Sequence, residues 1–167
     1  MTHKKQLFEV FEGIAHINEV TWNNPKGSYD DAKEAAYQVE EALEGFEENN
    51  QALAFELGLD KIYPPDAVEV CHTKHLARYI VSILAKDADP MADVERFDKA
   101  LDAIYFAVGS LHKLGLNPSQ MVDGLQIVHS ANMCKSGPKD SEGKVIKPAN
   151  FVEPQPQLQL ILDNRVI

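Results

Sequence analysis

Five of the nine residues from Glu40 to Glu48 are glutamates, with Ala42, Leu43 and Phe46 set between them. At about 100° per residue, Ala32, Ala35, Ala36, Val39, Ala42, Leu43 and Phe46 share one face of a helix predicted over roughly 30–48. Glu40, Glu44 and Glu47 run along the edge of that face, and Glu41 and Glu48 lie further round. The pairs 40–44, 41–44, 44–47 and 44–48 are helical neighbours, and each like-charge pair costs about 0.2–0.5 kcal/mol. Glu47 and Glu48 also fall near the negative end of the helix dipole. No lysine or arginine occurs between Lys33 and Lys61 to offset the charge. The bland reading is a solvated acidic face.

A second acidic row weighs against that reading. In "VERFDKALDAIYFAVGSL", Phe97, Leu101, Ile104 and Val108 form an apolar stripe, and Glu95, Asp98 and Asp102 line up beside it at i, i+3 and i+7. Two helices therefore each carry carboxylates at the border of the face they are expected to bury. If the two pack together, the rows face each other across a groove. Carboxylates crowded in this way repel and raise one another's pKa values, so a hard divalent cation is the natural partner. Mg²⁺ prefers oxygen ligands in octahedral geometry and commonly keeps waters or takes phosphate oxygens.

Three short motifs in order resemble the all-α NTP pyrophosphatase superfamily, which includes MazG-like proteins, dimeric dUTPases and phosphoribosyl-ATP pyrophosphohydrolases. "EEALE" at 40–44 matches the E-E-x-x-E motif of that group. Asp102-Ala-Ile-Tyr105 looks like the aspartate of its E-x-x-D motif with the tyrosine that often follows. "VHSANMCK" resembles the V-H-x-x-N-M-x-K segment of phosphoribosyl-ATP-pyrophosphohydrolase-like members, many of them phage-borne, and "GKVIKP" resembles their lysine-rich continuation. The resemblance covers roughly residues 20–150. It departs from the pattern at Lys99, where the family has the glutamate of E-x-x-D. Asp98, or Glu95 with Asp98, would take that place.

The resemblance implies an all-α four- to five-helix bundle of MazG-like type over residues 1–167, with a loop-rich tail from 134. It implies Mg²⁺-dependent cleavage of a nucleoside triphosphate between the α and β phosphates, giving monophosphate and pyrophosphate. Mn²⁺ is a possible substitute for the metal, and house-cleaning of (d)NTPs is a role such enzymes fill. Glu40, Glu41, Glu44, Asp98 and Asp102 would hold the metal, with Glu41 and Glu44 as catalytic carboxylates. Bound metal lowers the pKa of a water that attacks in line, and a nearby glutamate, Glu41 being one candidate, accepts its proton. Asn132, Lys135, Lys144 and Lys147 are candidates to clamp phosphate, since four of the chain's lysines fall between 135 and 147. The bland reading of those lysines is a solvated basic loop. Tyr105, Trp22 and Asn23 complete the substrate-binding candidates, Trp22 as a ring that can stack on a base or equally anchor a core.

Composition bounds the alternatives. The 167 residues are 44% hydrophobic and 25% charged, enough for one domain with a core. A net charge of −10 argues against a duplex nucleic-acid binder. Two cysteines, Cys71 and Cys134, allow at most one disulfide and fit a reducing cytoplasm. No apolar run approaches a membrane span, and Glu9 and Glu12 interrupt the stretch after Lys4 and Lys5, so no signal peptide is expected. Helices are predicted over about 6–20, 30–48, 66–86, 90–114 and 117–133, the fourth stopped by Gly115 and the fifth opened by Asn117 and Pro118. The region 50–65 reads as softer, and "LQLIL" near the end as a short segment that packs back on the body. Apolar residues broader than one stripe on the third and fourth helices (Ile80, Val81, Ile83 and Leu84; Ile104, Tyr105, Phe106 and Val108) predict a homodimer or homotetramer.

Other residues carry weaker signals. His72 and His75 are too few for a zinc site. Arg78, one turn on from His75, reaches phosphate only if its helix borders the groove. A carboxylate di-iron bundle needs Glu-x-x-His pairs, which the acidic helices lack. A degenerate family member that binds nucleotide without turnover stays open because of Lys99, and phosphoribosyl-ATP stays open as substrate.

Overall fold

The computed structural model describes residues 3–21, 23–61, 72–135, 138 and 145–165, and among these it is helical with no strand. The helices are α1 (His3–His16), α2 (Asp31–Glu44), α3 (Glu47–Glu56), α4 (His72–Leu84), α5 (Asp93–Lys113), α6 (Pro118–Met133) and α7 (Gln155–Asp163). A π-helical turn, Ile17–Thr21, continues α1, and a 3₁₀ turn, Leu59–Lys61, follows α3. None of the described helices is long and apolar enough to cross a membrane. The chain divides into two compact units, residues 29–97 and residues 1–28 with 98–167.

The unit of residues 29–97 is built on α2 packed along α4, with α3 against α4. Asp30 caps α2 by accepting from the Lys33 amide at 3.0 Å. The single helix expected over 30–48 is instead two. Helix α2 ends at Glu44, Gly45 and Phe46 form a turn, and α3 starts at Glu47. The cause is local and tertiary together. Glycine costs about 1 kcal/mol in a helix interior, and continuing the helix would keep the glutamates aligned against its negative end. The Phe46 amide donates to the Leu43 carbonyl at 2.9 Å, and Asn50 adds to it: its Nδ2 donates to the same carbonyl at 2.9 Å and to Thr73 Oγ1 on α4 at 2.9 Å. Phe46 leaves the expected buried face and is 64% exposed.

The region expected to be soft is therefore helical through Glu56, ending where Gly58 takes φ +71°. Ala54, Leu59 and Leu76 form the core of this unit, with Leu43, Tyr79 and Ile80 packed on it. Helix α4 ends at Leu84, two residues before the predicted 86, and the predicted start at 66 lies among residues 62–71, outside the described ones. At the other end, Arg96 ties the start of α5 to the start of α2. Its Nε and Nη2 donate to Asp31 Oδ1 and Oδ2, both at 2.9 Å, and its Nη1 donates to Asp93 Oδ1 at 2.9 Å. Its hydrogen bonds to the Asp31 carboxylate push the guanidinium pKa further up, so it stays charged.

In the other unit α1 packs against α6 and α7 against α6. Val10, Ile17 and Leu116 are its buried apolar residues. His129 lies so close to α1 that a Cβ on Gly13 would come within 2.3 Å of its Nε2. Gly115 stops α5 as predicted. It takes φ +84°, its amide donates to His112 O, and the Leu116 amide reaches Leu111 O. Asn117 and Gln120 then form a reciprocal capping box, with Pro118 opening α6. The segment "LQLIL" forms α7, whose Leu158 and Ile161 approach Gly124 of α6.

One expectation fails on α5. Its stripe was expected to be the buried face, yet Phe97 is 66% exposed, Leu101 48%, Ile104 51% and Val108 47%. Tyr105 and Phe106 are exposed as well. The apolar pattern made the helix, but among the described residues nothing buries it.

Candidate functional site

The residues that could do chemistry gather on α2 and α4. Ala32, Lys33, Ala36, Tyr37 and Glu40 lie on one stripe of α2, at the 3.6-residue period. Arg78, Val81 and Ser82 lie on one stripe of α4. The two stripes line a cavity of about 320 Å³ within the unit of residues 29–97. Ala32 and Ala36 keep its α2 wall shallow, and buried Val81 supplies apolar floor on the α4 side. Polar groups of both signs border it: the cations Lys33 and Arg78, the carboxylate of Glu40, and the hydroxyls of Tyr37 and Ser82.

These side chains are differently engaged. Lys33 Nζ lies 5.9 Å from the centroid of the Tyr37 ring, a cation–π contact. Ser82 Oγ donates to the Tyr79 carbonyl at 2.7 Å, which leaves its oxygen to accept. The other two arginines are committed, Arg96 to Asp31 and Asp93, and Arg165 to the Leu114 carbonyl at 3.3 Å. Arg78 is exposed and makes no hydrogen bond or ion pair among the described residues.

The predicted carboxylates divide between the two units. Glu40, half-buried, lines the cavity; Glu41 and Glu44 are exposed on the same helix, Glu44 one turn beyond Glu40. Asp98 and Asp102 are exposed on the part of α5 that belongs to the other unit. Glu95 caps α5, accepting from the Ala92 amide at 2.9 Å. No group of three or more His, Cys, Asp or Glu side chains is gathered for a metal ion among the described residues. What α2 offers is a pair of carboxylates a turn apart, Glu40 and Glu44, with Glu41 beside them. All are hard oxygen donors, which fits Mg²⁺, an ion that needs only one or two protein carboxylates when phosphate supplies further oxygens.

The remaining candidates fall in the other unit. Asn132 is in the last turn of α6 and Lys135 follows its end, as expected. Lys135 and Lys147 converge on Phe151, with Nζ to ring-centroid distances of 5.9 and 4.9 Å. Lys147 is also paired with Glu153 Oε1 at 2.6 Å. Tyr105 is 76% exposed and packs edge-on to Phe106. Asn23 is exposed, with φ 53°. Trp22 and Lys144 lie outside the described residues.

Lys33, Tyr37 and Ser82 were not among the sequence candidates. The signal for the first two was present: Lys33, Ala36, Tyr37 and Glu40 stand at i, i+3, i+4 and i+7. Nothing in the sequence says that Arg78 and Ser82 stand opposite them. Comparison with protein-family models, with curated proteins and with solved structures finds no match.

Proposed function

We propose that the protein is a Mg²⁺-dependent nucleoside triphosphate pyrophosphohydrolase that releases monophosphate and pyrophosphate. The observation that carries this reading is the cavity on α2 and α4, which Glu40 of the E-E-x-x-E row lines together with two cations, Lys33 and Arg78. A carboxylate alone repels a triphosphate, and cations alone do not activate water. The combination suits a phosphate chain that arrives with a divalent metal.

Glu40 and Glu44 would hold the metal, which when bound neutralises phosphate charge and makes a water more acidic. Glu41, adjacent to Glu40, accepts the proton of the attacking water. The water oxygen bonds to the α-phosphorus, the bond from that phosphorus to the α–β bridging oxygen breaks, and the electron pair leaves with pyrophosphate. The exposed stripe of α5 supports the second part of the reading, a homo-oligomer. Val94, Phe97, Leu101, Ile104 and Val108 alternate spacings of three and four, the repeat of a helix that pairs along a seam. A second copy is the partner that carries the same stripe, and an isologous pair buries both at once.

The test is incubation of purified protein and Mg²⁺ with a panel of nucleoside triphosphates, deoxynucleoside triphosphates and phosphoribosyl-ATP. Monophosphate with pyrophosphate supports the reading, and a phosphoribosyl-ATP preference narrows it. Lys99 favours a second reading, a nucleotide-binding protein without turnover, for which binding without product is the expected result.

A further inference from the structure

The chain carries a net charge of −10, and in such a chain cations are normally consumed by nearby carboxylates. Arg78 is an exception: it lines the α2–α4 cavity without an ion pair among the described residues. Lys33 lines the same cavity, placed over the Tyr37 ring. An anion that enters the cavity would meet both cations. Glu40, in the same cavity, forms no ion pair with Arg78 among the described residues.

We infer that Lys33 and Arg78 form the phosphate-binding half of this cavity, gripping the β and γ phosphates that leave as pyrophosphate while Glu40 faces the metal-bound end. The inference rests on the proposed function, whose own residues are the α2 carboxylates, and it adds the groups that bind the leaving chain. The guanidinium fork of Arg78 matches two phosphate oxygens at once, whereas Lys33 acts as a point charge. Glu40 in the same wall selects the ligand class. A bare monoanion leaves that carboxylate facing negative charge, whereas an oligophosphate chelating Mg²⁺ presents the metal to Glu40 and oxygens to Arg78 and Lys33. Ser82, its hydroxyl hydrogen already given to the Tyr79 carbonyl, would offer its oxygen as an acceptor.

The probe is pyrophosphate with Mg²⁺, titrated calorimetrically into the intact chain, with nucleotide hydrolysis followed in parallel. Arg78→Gln and Lys33→Gln should each weaken pyrophosphate binding roughly 10- to 100-fold, the range for a lost charge-assisted hydrogen bond. Arg78→Lys should recover only part of the loss, because the fork is gone. Lys86→Gln, the same charge change at an exposed site away from the cavity lining, should bind as the parent does. Arg78 is exposed, so these variants should keep the parent's circular dichroism and melting temperature. Pyrophosphate binding lost in both cavity variants, in a protein that hydrolyses no nucleotide, sustains the site and overturns the enzymatic reading. Hydrolysis with unchanged KM and unchanged pyrophosphate affinity in both variants sustains the enzyme and overturns the site. A parent protein that binds no pyrophosphate at millimolar concentration with Mg²⁺ also overturns it.

Discussion

Glu40 of α2 and Arg78 of α4 line one cavity without pairing with each other. Opposite charges held at one cavity but left apart are placed to meet a ligand that carries both signs. A phosphate chain with its divalent cation is such a ligand, and the α2 carboxylates are the groups whose loss should separate chemistry from folding.

Glu41→Gln or Glu44→Gln should abolish turnover and leave the fold intact or slightly more stable. On α2 Glu44 has like-charge helical neighbours at 40 and 41, and relief of each pair is worth about 0.2–0.5 kcal/mol. Mg²⁺ should raise the melting temperature of the parent protein by mass action, by the equivalent of about 2.7 kcal/mol at a hundredfold excess over Kd, and raise it less in either variant. Hydrolysis that survives EDTA contradicts the metal role.

Asn50, 2% exposed, joins α2 and α3 to α4 through Leu43 and Thr73. Asn50→Ala removes the two hydrogen bonds that its Nδ2 donates to the Leu43 carbonyl and Thr73 Oγ1, each worth about 0.5–1.5 kcal/mol. Urea unfolding should show a lower midpoint with the same slope. An unchanged midpoint would mean that the α2–α3 break does not depend on this bond.

Gly13 sits under His129, and an added Cβ would lie 2.3 Å from Nε2 and 2.7 Å from Cε1. Alanine is otherwise favoured over glycine in a helix by about 1 kcal/mol. Gly13→Ala should therefore be neutral or destabilising in the parent, where the ring must move, and stabilising by roughly 0.5–1 kcal/mol in a His129→Ala background. Additive effects in the double-mutant cycle would contradict the close approach.

How much of this was legible beforehand depends on the reach of the interaction. The end of α5 at Gly115 and the start of α6 at Asn117 and Pro118 use neighbours in sequence, so residue types alone announced them. The break of α2 at Gly45 was missed because the compensating partners, Asn50 and Thr73, act across helices. The glutamates of the site were legible as a row. Of their cationic counterparts, Arg78 was legible only on the condition that its helix borders the groove, and Lys33 was not, because the two line one cavity only through the packing of α4 on α2. The stripe on α5 was legible as apolar, but periodicity does not say whether the same chain or another covers it.

That stripe supports an assembly prediction. Leu101→Glu or Ile104→Glu places charge in the middle of the proposed seam between two copies. Light scattering should show a dimer or tetramer for the parent protein at micromolar concentration and a monomer for the variants, since like charges at a paired apolar seam are strongly unfavourable. A monomeric parent contradicts the pairing.

The measurement that bears most directly on the central claim is hydrolysis of a nucleoside triphosphate with Mg²⁺ in ¹⁸O-labelled water, with the products weighed by mass spectrometry. Attack at the α-phosphorus predicts monophosphate carrying one ¹⁸O and unlabelled pyrophosphate. Nucleoside diphosphate with labelled phosphate, or label found in pyrophosphate, would contradict it.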